Sequence, residues 1–222
     1  MRLLLVRHGQ TPANVDGVLA TDRPGPGLTA RGREQAAALV PALAGESIAS
    51  ISVSPLKRTA LTAAPLAAAR GLEPVPREGL EEIEAGRLEG RRDREAVHAY
   101  LDVLRRWGEG ELTARMPGAG SGEEFFARFD AAIAEIAAAH AAGDTAVVVS
   151  HGAAIRVWCG GRGRNIDPGF ASRNDLHNAG VVAVEGDPEA GWQLLSWMGE
   201  PPGGRDLDDR RALDPTGEEF GD

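Results

Sequence analysis

An arginine and a histidine stand side by side at Arg7-His8, followed by Gly9-Gln10-Thr11. The guanidinium is a planar fork of donors that matches phosphate oxygens. The imidazole is partly neutral near physiological pH and can attack through a ring nitrogen. A second histidine-glycine pair occurs at His151-Gly152, and a further basic turn at Ser54-Pro55-Leu56-Lys57-Arg58. Each short stretch recurs by chance in unrelated chains. Their weight comes from repetition, and the chemistry they suit is holding an anion and attacking it.

Each basic group follows a strand signal. Leu3-Leu4-Leu5-Val6 has the continuity of a parallel strand buried on both faces, as does Ala146-Val147-Val148-Val149. Ile51 and Val53 alternate with serines, as in a strand. Open α/β sheets place their sites at the carboxyl ends of parallel strands. Ser54 reads as an N-cap and Pro55 as the first helical residue, so Arg58 falls in a first turn beside free N–H groups. A cation there is unfavourable unless an anion sits beside it. His151 taken alone would read as a satisfied core histidine, and Asn14 as a loop residue.

Taken in order, these segments resemble the histidine phosphatase superfamily, also called phosphoglycerate mutase-like. The matching residues are Arg7-His8-Gly9-Gln10-Thr11 with Asn14, Ser54-Pro55-Leu56 with Arg58-Thr59 and Thr62-Ala63, Leu80 with Glu82-Ile83, Gly86 and Glu89-Gly90, and Val149-Ser150-His151-Gly152, with a weaker match at Asn178-Ala179. The resemblance implies an α/β fold, a three-layer α/β/α sandwich with a mostly parallel central sheet whose three charged strand ends converge. It implies a metal-independent phosphomonoester hydrolase acting through a phosphohistidine on a small phosphorylated metabolite. His8 would be the nucleophile, Arg7, Arg58 and His151 would supply donors and positive charge, Asn14 would bind phosphate, and Glu82 would be the proton donor. By residue type alone Glu82 is one of several acids, with Glu78, Glu81, Glu84 and Glu89 close by. A carboxyl beside bound phosphate should have a raised pKa.

Departures from the family pattern bear on the substrate. Leu88 stands where tryptophan is common and Gly120 where glutamate is common. The segment between Glu82 and Ser121 carries Gly108, Gly110, Gly118 and Gly120 and reads as a short, flexible lid. Hydrolysis is therefore expected over the alternative, a cofactor-dependent phosphoglycerate mutase, which needs a closed, water-poor site. A non-catalytic phosphoryl-binding module is a third reading, disfavoured because His8 and Glu82 are both present.

Length and composition fit one sizeable domain. With 222 residues, 42% hydrophobic, the reading is a domain over 1–199 and an acidic, flexible C-terminal tail over 200–222, which is rich in Pro, Gly and charge. A net charge of −9 argues against a nucleic-acid partner or an anionic membrane surface. No cofactor is called for. His98, His140 and His177 show no ligand spacing with one another or with Cys159, so no metal site is expected. The single cysteine and the lack of a signal-peptide pattern point to the cytoplasm. A homodimer is left open. Helices are expected after Thr29 as a cap, ending at Gly45, over 93–107, and from Ser121, whose Glu124 completes a capping box. Val181–Val184 and Trp192–Trp197 read as two last strands.

Overall fold

The chain is described by a computed structural model covering residues 1–167, 169–209, 212 and 214–216. Three strands expected from apolar runs lie side by side: β1 (Arg2–Arg7), β2 (Ile48–Val53) and β4 (Thr145–Ser150). β4 is the middle one, parallel to β1 on one edge and to β2 on the other. β3 (Pro74–Pro76) extends the parallel part, while β5 (Val181–Asp187) and β6 (Gly191–Met198) add an antiparallel hairpin beyond β1. The order is β3-β2-β4-β1-β5-β6.

Side chains alternate across a strand, so a strand buried on both faces must be apolar at every position. In β1, Leu3 and Leu5 join a core with Phe129, Ile133 and Trp158. Leu4 and Val6 join the opposite core with Leu39, Leu66 and Val149. The first core is roofed by α4 (Arg94–Gly108), α5 (Gly122–Ala138) and α6 (Gly152–Arg162), the second by α2 (Ala30–Ala42) and α3 (Lys57–Arg70). The expected three layers are present.

The caps follow local chemistry. Thr29 accepts from Gly32 N, and Ser121 and Glu124 form the reciprocal capping box at α5. α2 stops at Ala42, short of Gly45, with Pro41 in its last turn, where the missing N–H costs one ladder bond. α3 begins at Lys57, two residues later than the Ser-Pro signal suggests. The Ser54 hydroxyl is engaged by His151 at 2.8 Å and so faces the sheet end rather than serving as a helix cap. Arg58 stays in the first turn.

Two expectations give way to packing. The region between Glu82 and Ser121 is no flexible lid. Much of it is α4, the helix expected over 93–107, and the structure adds that its Tyr100, Leu104 and Trp107 are buried in the core, with Trp107 Nε1 donating to Ala114 O at 2.8 Å. Beyond residue 199, where the sequence reads a tail, the described residues lie on the domain. Gln35 Nε2 donates to Leu207 O at 2.7 Å, Arg31 donates to Asp208 O at 2.6 Å, and Gln10 Nε2 donates to Asp209 at 2.9 Å.

Candidate active site

Strand ends and helix starts deliver the polar groups to one pocket. His8 sits just past β1, Arg58 in the first turn of α3, and His151 between β4 and α6. His8 and Arg58 line a pocket that also has Thr11, Asn14, Thr21 and Glu82 in its wall, and His151 lies behind them against Arg58. The His8 and His151 rings meet edge to face, with centroids 5.2 Å apart. The convergence expected of His8, Arg58 and His151 is what the structure contains.

The backbone of His8 is held on several sides. Its N–H donates to Ser150 O, and its carbonyl accepts from Ala179 N and from Asn178 Nδ2. Gly9 N donates to Thr62 Oγ1, and that hydroxyl donates to Arg58 O, tying the loop to α3. Gly9 must be glycine, because a Cβ there would lie 2.5 Å from Gly32 O. The ring is fixed too: Nδ1 donates to Gly9 O at 2.8 Å, since a carbonyl can only accept. The other nitrogen, Nε2, is then the one carrying the lone pair. Burial, and then Arg58 and Arg7, hold the His8 pKa well below its ordinary value, so the ring is neutral at pH 7.

His151 is neutral as well, lowered first by burial and then by Arg58. Its Nδ1 accepts from Arg58 Nη2 at 3.0 Å, and its Nε2–H donates to Ser54 Oγ. In this arrangement His151 orients the Arg58 fork, and the positive charge of the site comes from the two guanidiniums. Burial pulls Arg58 down to about 10, which leaves it charged at neutrality. Arg7 is fully buried, donating to Leu176 O at 2.7 Å and pairing with Asp214 at 2.6 Å. Arg7 Nε and Arg58 Nη1 are buried donors with no protein partner among the described residues. Unsatisfied buried donors are rare and mark places where an anion can bind.

The structure separates the glutamates that sequence alone could not. Glu78 and Glu81 pair with Arg23. Glu89 takes the backbone N–H and hydroxyl of Thr21. Glu84 is exposed. Glu82 is buried in the pocket wall, accepting from Ile83 N at 3.0 Å, Ala154 N at 2.8 Å and Ala153 N at 3.3 Å. The last two are free N–H groups of the first turn of α6, a natural seat for a carboxylate. Burial nevertheless dominates these donors and the two arginines, and the Glu82 pKa is raised.

Asn14 is drawn in through its own helix, α1 (Pro12–Asp16), where it completes a capping box with Thr11. Its Nδ2 donates to Asp214 at 3.1 Å. Three participants were not foreseen. Ser54 accepts the hydrogen bond from His151 Nε2–H. Arg128, on α5, donates to the carbonyls of Gly79, Glu81 and Glu82 at 2.7, 2.9 and 2.8 Å. Asp214 reaches the pocket from the far end of the chain. Only Ser54 carried a sequence signal, as part of its Ser-Pro turn. The described residues include no group of three metal-ligating side chains and no helix long and apolar enough to cross a membrane.

Comparison with known proteins bears on the family and the fold. The model of the histidine phosphatase superfamily (branch 1) matches residues 3–199. PE-PGRS family protein PE_PGRS11 of Mycobacterium tuberculosis is 38% identical over 89% of the chain, which spans only 36% of that relative's length. Phosphoserine phosphatase 1 of Hydrogenobacter thermophilus is 30% identical, covering 83% of this chain and 87% of its own. Among solved structures, a mycobacterial glucosyl-3-phosphoglycerate phosphatase bound to VO3 superposes with a TM-score of 0.75 at 25% identity, over 90% of this chain and 99% of its own.

Proposed function

The chain belongs to the histidine phosphatase superfamily, branch 1, and on that footing we propose a phosphomonoester hydrolase that works through a phosphohistidine at His8. The observation that carries the reading is the His8 ring. Its Nδ1 is committed to Gly9 O, and its Nε2 is left as a neutral nucleophile in a pocket walled by Arg58 and Glu82.

Nε2 attacks phosphorus and the bond to the ester oxygen breaks. The departing oxygen takes the proton held by Glu82, whose raised pKa keeps it protonated to higher pH than an ordinary glutamate. Water then attacks the phosphohistidine, giving its proton to Glu82, and inorganic phosphate leaves with His8 restored. Arg7 and Arg58 balance the charge on the equatorial oxygens, the task a divalent ion performs in many phosphoryl transfers. Asn14 offers one further donor. The names of the relatives, a phosphoserine phosphatase and a glucosyl-3-phosphoglycerate phosphatase, support a small phosphorylated metabolite as substrate. The lone, buried Cys159 is compatible with the reducing cytoplasm.

The test is phosphate release from an aryl phosphate with chelator present, together with quenching in alkaline detergent, where a phosphohistidine survives, to trap phosphate on His8. A parallel assay follows 2-/3-phosphoglycerate interconversion primed with 2,3-bisphosphoglycerate. Hydrolysis that outpaces interconversion and a labelled His8 are expected. Interconversion outpacing hydrolysis overturns the hydrolase in favour of a mutase.

A further inference from the structure

The pocket is not open to solvent on every side. Residues 214–216 enter it from the far end of the chain and form part of its wall. The Asp214 carboxylate lies 2.6 Å from Arg7 Nη2 and accepts from Asn14 Nδ2 at 3.1 Å. Thr216 adds its hydroxyl to Arg7 Nη2 at 3.0 Å, and its carbonyl rests on Gly152 at the start of α6, where a Cβ would come within 2.6 Å of it. A carboxylate held by one arginine nitrogen and an asparagine amide, one on each oxygen, has the hydrogen-bonding of one edge of a phosphate. We infer that Asp214 is a tethered stand-in for phosphate, so that the C-terminal segment holds the pocket shut until a phosphoryl group displaces it. This rests on the reading of the pocket as a phosphoryl site.

The energetics favour such an exchange. The Arg7 side chain is wholly buried and needs an anion near it, because an uncompensated buried charge is costly. Asp214 supplies one negative charge and two oxygens. A phosphate ester supplies up to two charges and more oxygens, and Arg7 Nε and Arg58 Nη1 are buried donors that Asp214 leaves unused. The segment stays close even when displaced, because Leu207, Asp208 and Asp209 are bonded to Gln35, Arg31 and Gln10. A short tether gives an effective concentration in the millimolar range. The apparent affinity for phosphate then falls by the fraction of molecules in which the pocket is free.

The probe is inorganic phosphate, titrated into the full chain and into its Asp214→Asn and Asp214→Ala variants, with binding read by calorimetry. At least ~10-fold tighter phosphate binding is expected in both variants, since a tenfold gain corresponds to a pocket closed about nine-tenths of the time. Phosphate should also raise the melting temperature of the variants more than that of the parent. A second measurement needs no substitution: saturating phosphate should increase amide exchange at 214–216 in the parent chain. Phosphate affinity unchanged or weakened in folded variants overturns the inference, as does a segment equally protected with phosphate bound. Failure of the catalytic reading would look different, since turnover would be absent while phosphate still bound and still displaced the segment.

Discussion

Replacing Glu82 by Gln asks whether this side chain moves a proton or only braces the fold. The carboxyl group accepts from the N–H groups of Ile83, Ala153 and Ala154. An amide keeps one acceptor oxygen and turns an NH2 group toward at least one of those donors. Leaving a buried donor unpaired costs about 1–3 kcal/mol, which for a chain of this size lowers the melting temperature by roughly 2–4 °C per kcal/mol. That loss is blind to the substrate. Loss of a general acid is not: such a group contributes ~10²–10⁴-fold, felt most when the departing oxygen is most basic. An alkyl phosphate should therefore slow by about 10²-fold or more, whereas an aryl phosphate, whose oxygen leaves unaided, should slow by less than ~10-fold. The assay is steady-state kcat on both substrates below the variant's melting transition. Equal slowing of both refutes the reasoning and leaves Glu82 as a brace for the start of α6.

Other outcomes follow from the same geometry. His8→Ala should lose at least ~10³-fold in turnover and show no trapped phosphoenzyme, while circular dichroism stays native; near-normal turnover would place the nucleophile elsewhere. The rate should stay level down to acid pH, because neutral His8 persists below the ordinary histidine range, and should fall on the alkaline side as Glu82 loses its proton. A pH profile of Glu82→Gln should lack that alkaline limb. Arg128→Ala should remove the three donors that hold residues 79–82 and slow alkyl phosphates roughly 10-fold, with aryl phosphates little changed and Arg128→Lys partly restoring the rate; a loss equal for both substrates would mark Arg128 as merely structural.

The catalytic end of the sheet is legible in sequence because the signals are local. A continuous apolar run specifies a doubly buried strand, and the residue after it is placed at the strand end by the chain itself. Arg7, His8 and His151 are found this way; Arg58 and the capping box at Ser121 are found from helix-start signals, which are equally local. The start of α3 is misread because Ser54 is an equally good cap or hydrogen-bond acceptor, and the His151 ring decides between them. Choosing Glu82 among its neighbours needs the position of α6, which lies more than sixty residues further along the chain. Arg128 carries no local signal, because the carbonyls it holds, at Gly79, Glu81 and Glu82, lie more than forty residues earlier in the chain. Asp214 is the extreme case: a segment of Pro, Gly and acids shows no apolar periodicity, and its contacts to Arg7 and Asn14 span about two hundred positions.

The central place of β4 bears on how this protein is made. Arg2 pairs with Thr145, and β2 pairs with the other edge of the same strand. A growing chain that has produced β1 and β2 therefore holds two strand edges and a gap between them. At ~5–20 residues per second, the strand that fills the gap arrives roughly 7–30 s after β1 has been made. Until then His8 and Arg58 have no common partner, because His151 follows directly on β4. Closing the sheet and assembling the site are one event, so the first appearance of turnover during synthesis would time the insertion of that strand.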